Sequence, residues 1–241
     1  MQVQLRIRRF NPEKDSVPWW GEYTVKDVRP NDSVLDVLHR VKWEQDGTLS
    51  LRRSCAHGVC GSDAVRINGV NALACKSLVV RLAKEGSNEA KIQVEPILGM
   101  RVLKDLIVDM DPFFEHYRSV MPYFVNDSPV PENGRERLQS PEDRARFDDT
   151  TKCILCAACT SSCPSFCANE KYIGPAAIVQ AHRFIFDSRD QAYNERLNVA
   201  GDTMGVWRCR TIFNCTNACP REIEVTKAIA EVKMALTSDE F

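Results

Sequence analysis

Residues 153–164 read CILCAACTSSCP, with cysteines at 153, 156, 159 and 163 and a proline directly after the last. Cysteines stepping by 3, 3 and 4 residues are poorly placed to bridge one another as disulfides. A C-x2-C-x2-C-x3-C-P run instead wraps three thiolates around a cuboidal iron–sulfur cluster and turns its fourth cysteine toward a second cluster. The rest of the chain must then supply the missing ligands. Residues 209–220, CRTIFNCTNACP, do so, because positions 209, 212, 215 and 219 repeat the 3, 3, 4 steps and again end in Cys-Pro. This is an internal repeat, with Ile212 where the second cysteine belongs. Exchange of the fourth cysteines gives Cys153, Cys156, Cys159 and Cys219 as a four-thiolate [4Fe–4S] site. It leaves Cys163, Cys209 and Cys215 as a three-thiolate site whose vacant corner belongs to Ile212, which cannot ligate iron and helps exclude water. The simplest product is a [3Fe–4S] cluster; the alternative is a [4Fe–4S] cluster with water or another residue on its fourth iron.

The chain has 241 residues, enough for two domains of ordinary size. Its net charge of −1 gives no basic footprint for nucleic acid, and no apolar run approaches the ~18 residues of a membrane span. The first residues, MQVQLRIRRFNPEKD, lack the apolar core of a signal peptide. Eleven cysteines, an odd number and closely spaced, fit metal ligation in a reducing compartment better than disulfides. They fall in three groups: 55/60/75, 153/156/159/163/167 and 209/215/219. Structural zinc is the competing account, but zinc favours paired Cys or Cys/His spacing with about four ligands per metal. Cys167, outside both runs, reads as a packed free thiol.

In the N-terminal half, residues 2–10 alternate as a half-buried strand and Gly21–Val28 reads as a second. Asp32 or Ser33 caps a helix over VLDVLHRVKWEQ, with Val34, Leu35, Leu38 and Val41 on one face and Gly47 as its stop. Two strands flank Asn68-Gly69, a hairpin signal, and 91–97 alternate as a closing strand. Strand, strand, helix, cysteine loop and further strands are the order of a β-grasp. The loop RRSCAHGVCGSD resembles the C-x4-C-x2-C spacing of plant-type [2Fe–2S] ferredoxins, with Cys75 as the distant fourth ligand. Asp63 stands at the third cysteine position. It is read as a carboxylate ligand to iron; the competing reading is a loop-capping Asp beside a cluster with another fourth ligand. Gly58 and Gly61 let backbone N–H groups approach the cluster sulfurs.

Strand patterning stops near residue 105, and 98–111 read as a connector running into a helix from Pro112. Residues 121–136 read as an ordered loop. Pro175 sits in the first turn of a helix carrying Ile178, Val179 and His182 on one face. There His182 reads as a packed or solvent-edge residue rather than a ligand. Residues 224–236 form another helix. The expected fold class is α+β. A plant-type ferredoxin β-grasp domain spans 1–104, and an all-α, bacterial-ferredoxin-like domain spans 105–241. Three clusters with no acid–base pair or nucleophile describe a wire for single electrons, which needs a donor and an acceptor on partner subunits.

RRSCAHGVCGSD with INGVNALAC, CILCAACTSSCPSF, IGPAAIVQAHRFIFDSRD and CRTIFNCTNACP together resemble the iron–sulfur subunit of succinate dehydrogenase (respiratory complex II), nearly end to end. The resemblance implies a flavoprotein subunit with covalent FAD that oxidises succinate. It also implies a membrane anchor of one or more subunits, with heme there left open, and a position on the cytoplasmic face of a bacterial cell membrane. Electrons would run from FAD through [2Fe–2S], [4Fe–4S] and [3Fe–4S] to quinone. In this family an Asp at the third [2Fe–2S] position is more at home in succinate dehydrogenases than in fumarate reductases, which run the same wire backwards. The family's quinone residues map to Pro164, Ser165 and Ile212. Cys167 and Ala168 stand where many members have tryptophans, and Arg210 where many have His. Arg210 supplies a fixed positive charge near cluster or quinone, or else pairs with an anchor subunit or lipid headgroup. Outside this family, the alternative is a soluble two-domain ferredoxin adaptor for another oxidoreductase.

Overall fold

The computed structural model describes residues 1–132 and 134–238. The chain divides into two compact units: Met1–Met110 together with Ile154–Ser162, and Asp111–Cys153 together with the residues from Cys163 on. The short segment carrying Cys156 and Cys159 thus belongs to the first unit.

The first unit is built on a five-stranded sheet. β1 (Gln2–Arg9) buries Val3, Leu5 and Ile7 on one face, as its alternation requires. It pairs antiparallel with β2 (Trp19–Val25), which begins before the expected Gly21 and ends before Val28. β3 (Ala64–Ile67) and β4 (Val70–Leu73) form the expected hairpin. Asn68 and Gly69 both take positive φ, 47° and 85°, as a two-residue turn matched to strand twist demands. β5 (Glu89–Glu95) runs parallel to β1 and antiparallel to β3, giving the order β2-β1-β5-β3-β4. Helix α1 (Val34–Arg40) packs Val34, Leu35, Leu38 and the following Val41 into one core with Val3, Leu5, Ile7, Ile92 and Val94. Ser33 is its cap: Ser33 Oγ accepts from Asp36 N–H while the Asp36 carboxylate accepts from Ser33 N–H. Beyond Val41 the chain widens into a π-helical turn to Gln45 and ends at Asp46 in an extended conformation. Gly47 is therefore not the stop.

Strand structure also continues past residue 105. β6 (Val102–Lys104) and β7 (Ile107–Val108) form a hairpin where a connector was expected. Strands of three and two residues carry too little alternation to register in sequence. Their turn is fixed by Asp105, at φ 47°. Its carboxylate accepts from Arg9 Nε at 2.9 Å, Phe10 N at 3.0 Å and Ser50 N at 2.8 Å.

The second unit contains no strand among its described residues. α2 (Asp111–Ser119) begins at the expected place. The loop at 121–136 carries no helix or strand among its described residues, and Asn133 lies outside them. α3 (Gly174–Ile185) opens with Pro175 in its first turn and buries every residue but Arg183. α4 (Tyr193–Ala200) packs against it. α5 (Val225–Ala235) buries Val225, Ala228, Ile229 and Val232 at helical spacing, also against α3. His182 in α3 is packed, 2% exposed, with Nε2 2.5 Å from Glu231 Oε2 and Nδ1 3.4 Å from Thr150 Oγ1. Among the described residues no helix is long and apolar enough to cross a membrane.

Candidate iron–sulfur sites

The first ligand set assembles within the first unit. The loop from Cys55 turns on three residues of positive φ: Ala56 at 59°, Gly58 at 84° and Gly61 at 70°. These turns aim backbone donors inward. His57 N–H lies 3.4 Å from Cys55 Sγ. Hydrogen bonds from the His57 and then the Val59 backbone lower the Cys55 thiol to about 6. The Ser62 hydroxyl lies 3.2 Å from Cys60 Sγ.

Asp63 and Cys75 are brought together by strand register. Ala64 faces Leu73 across the β3–β4 hairpin, and Ala74 N–H donates to Asp63 O one step beyond. Asp63 Oδ2 then accepts from Cys75 N–H at 2.6 Å. Its other oxygen, Oδ1, is buried with no hydrogen-bond partner, in a side chain only 4% exposed. A buried carboxylate oxygen left bare costs free energy. The Cys75 thiol is pushed up to about 12, first by burial and then by Asp63 beside it. A bare carboxylate oxygen and a thiol crowded by a carboxylate form a donor set that fits a cation between them. The residues fit an iron cluster at Cys55, Cys60, Asp63 and Cys75, and the Asp63 bond to Cys75 N–H is also the one a loop-capping carboxylate makes.

The two repeated runs share a backbone design. Each is entered from a 3-10 turn, Asp149–Lys152 before Cys153 and Val206–Arg208 before Cys209. Two and four residues after the first cysteine, each has a left-handed residue: Leu155 (55°) and Ala157 (63°), then Thr211 (55°) and Phe213 (67°). A one-turn helix follows in each, Ala158–Ser161 and Asn214–Asn217. None of the four is glycine, and each costs about 1–2 kcal/mol in that conformation. Such strain is kept where a site requires it, and it sits at matched positions in both loops.

Cys163, Cys209 and Cys215 all lie in the second unit and sense one another. Burial raises the thiols of Cys163 and Cys215, and the Cys209 charge adds to both. Backbone N–H groups of Phe166 and Ser165 reach Cys163, and Thr211 N–H lies 3.4 Å from Cys209 Sγ. Among the described residues no three His, Cys, Asp or Glu converge on a point that could hold one metal ion. A cluster spreads its thiolates around a cage rather than converging them on a single ion.

Pro164 and Arg210, each next in the chain to one of these thiols, are exposed, and Ser165, two residues after Cys163, is half-buried. Ile212, 49% exposed, lies between Cys209 and Cys215 with Phe213 at 52% beside it. Cys167 is exposed, not packed as its residue type suggests. It ends a one-turn helix, Pro164–Ala168, whose buried side chain is Phe166. Cys156 and Cys159 lie in the first unit, held by Asn71, whose side chain donates to Ser162 Oγ at 2.7 Å. A Cβ on Gly61 would stand 2.7 Å from Cys156 Cβ and 2.9 Å from Ile154 O, so only glycine lets these two loops meet. That approach was not foreseen from sequence, although a glycine between ligand positions was its signal.

Fold and sites together define an iron–sulfur protein that joins a ferredoxin-type domain to a helical dicluster domain. A model of the 2Fe-2S iron-sulfur cluster binding domain matches residues 4–115, and one of the 4Fe-4S dicluster domain matches residues 145–220. The succinate dehydrogenase iron-sulfur subunit of Coxiella burnetii is 43% identical over 240 residues, covering 98% of each chain. The mitochondrial succinate dehydrogenase [ubiquinone] iron-sulfur subunit of Candida glabrata is 42% identical over 238 residues, covering 98% of this chain and 91% of that protein. Among solved structures, a chain of the Mycobacterium smegmatis Sdh1 complex in the apo form matches with a TM-score of 0.83 at 26% identity, covering 99% of this chain and 97% of that one. The chain belongs to the family of succinate dehydrogenase iron–sulfur subunits.

Proposed function

We propose that this chain conducts single electrons from the FAD of a flavoprotein subunit that oxidises succinate to quinone at a membrane anchor. The observation that carries the reading is the repeated ligand loop, with left-handed residues at matched positions and Ile212 in the place of Cys156. Cys55, Cys60, Asp63 and Cys75 hold [2Fe–2S]; Cys153, Cys156, Cys159 and Cys219 hold [4Fe–4S]; Cys163, Cys209 and Cys215 hold [3Fe–4S]. When bound, these groups supply one-electron redox centres.

The residues of the chain do the rest. Backbone N–H groups at Cys55, Cys163 and Cys209 stabilise thiolate charge. Gly61 permits the close approach of the Cys156 loop to the loop of Cys55 and Cys60, which shortens the gap an electron must cross. Functional division falls after the β6–β7 hairpin, near Met110 rather than at 104/105, with the segment Ile154–Ser162 returning to the unit of the [2Fe–2S] ligands. Pro164, Ser165 and Ile212 contribute to the quinone site. Arg210, exposed and without an ion pair among the described residues, supplies positive charge there. The chain sits peripherally on the cytoplasmic face of the cell membrane, held by the anchor subunits. Asp63 favours the succinate-oxidising direction over fumarate reduction.

EPR of the purified complex during redox titration with succinate tests this. Expected are three distinct cluster signals and about nine irons per chain with matching acid-labile sulfide. Co-purification with a covalent flavoprotein and a membrane anchor is expected as well. A freely soluble monomer with no such partners would count against the reading.

A further inference from the structure

Thr226, in the first turn of α5, is 6% exposed. Its Oγ1 lies 3.5 Å from Cys215 Sγ in a buried contact and 2.9 Å from Thr216 Oγ1. Its own N–H donates to Thr216 Oγ1 at 3.0 Å. The direction of each bond follows from what each atom can do. A ligating cysteine is a thiolate and only accepts, so the Thr226 hydroxyl proton points at Cys215 Sγ. Thr226 Oγ1 then accepts from the Thr216 hydroxyl. Thr216 Oγ1 in turn accepts the Thr226 N–H, an unambiguous donor at the start of a helix where such groups lack intrahelical partners. The chain of bonds runs with one polarity from the helix N–H to the sulfur, and each bond polarises the next.

We propose that Thr226, backed by Thr216, is a positioning residue that raises the reduction potential of the cluster held by Cys163, Cys209 and Cys215. The inference rests on the reading of those cysteines as the [3Fe–4S] set. A hydrogen bond to a ligand sulfur withdraws charge and favours the reduced cluster. The donors at the other two thiols are backbone N–H groups, Phe166 and Ser165 at Cys163 and Thr211 at Cys209, which persist whatever the side chains. At Cys215 a replaceable hydroxyl is aimed at the sulfur. In the first run, Thr160 follows Cys159 as Thr216 follows Cys215, and its hydroxyl lies 4.0 Å from the Cys159 sulfur.

EPR-monitored redox titration of the intact complex decides the matter. Thr226→Val is expected to lower the midpoint potential of the [3Fe–4S] signal, while Thr226→Ser stays close to wild type. Thr216→Val is expected to produce a smaller shift in the same direction, and the [2Fe–2S] potential is expected to be unmoved in all three. Should Thr226→Val fail to assemble the cluster, Thr216→Val decides, since it leaves the Thr226 hydroxyl in place. Unchanged potentials in both valine variants overturn the relay, as does a Thr226→Ser shift as large as that of Thr226→Val. A wild-type complex without a [3Fe–4S] signal overturns instead the reading of the site on which the relay depends.

Discussion

Arg9 and Asp63 are both buried polar residues, and they differ in whether their bonds are complete. Arg9 in β1 is 4% exposed and engages Asp105, Asp46, Tyr23 and Thr48. The network ties the sheet to the segment that leads into the cysteine loop. Burial works against ionisation of Asp46, but hydrogen bonds from Thr48, Tyr23 and Arg9 outweigh it and hold the carboxyl well below its usual range. A folded value below the unfolded one stabilises the fold fully above ~pH 4, and that contribution is lost as pH falls below it. Asp46→Asn is therefore expected to lower the stability of the complex at neutral pH by roughly 1–2 kcal/mol. In thermal melts, the gap to wild type is expected to narrow as the pH is taken down through ~4. Asp63, by contrast, keeps one oxygen bare. Asp63→Cys is expected to preserve the [2Fe–2S] cluster while changing its EPR g-values and potential; spectra identical to wild type would speak against ligation by Asp63.

At the scale of elements, what sequence revealed and what it concealed divide by range. The Asn68-Gly69 turn, the apolar face of α1 and the helix α5 are written in neighbouring residues, and each is formed in the structure. The β6–β7 hairpin depends on Asp105 finding Arg9 and Phe10, about a hundred positions earlier in the chain, and short strands leave no periodic trace. Thr226 looks like an ordinary helix residue until α5 is set against Cys215. Cys167 was assigned to the interior by residue type, but its helix is one turn long and spends its buried position on Phe166. Gly61 lies between these cases, because its identity was legible and its neighbour was not. Alanine there meets Cys156 at 2.7 Å and must hold φ near 70°, at about 1–2 kcal/mol for the backbone alone. Gly61→Ala is expected to push the 154–156 segment away. The reduced [2Fe–2S] signal should then show weaker relaxation enhancement by the neighbouring cluster, read from its power saturation.

For the molecule as a whole, the ligand loop is written twice in backbone and broken once in side chain. Both runs keep the entry turn, the two left-handed residues and the one-turn helix. Conformation at the second ligand position is thus held whether or not a ligand stands there, and Ile212 occupies a site whose backbone already suits cysteine. Its side chain is 49% exposed, so a smaller residue leaves no large core cavity and the fold should tolerate the change. Ile212→Cys is accordingly expected to restore the fourth thiolate and convert the [3Fe–4S] cluster to [4Fe–4S]. The oxidised complex should lose the [3Fe–4S] EPR signal, a new signal should appear on reduction, and iron should rise by about one per chain. Retention of the original signal with unchanged iron would mean that the vacant corner is set by something other than the missing cysteine. Conversion with slowed quinone reduction would tie the identity of this one residue to the exit of electrons from the chain.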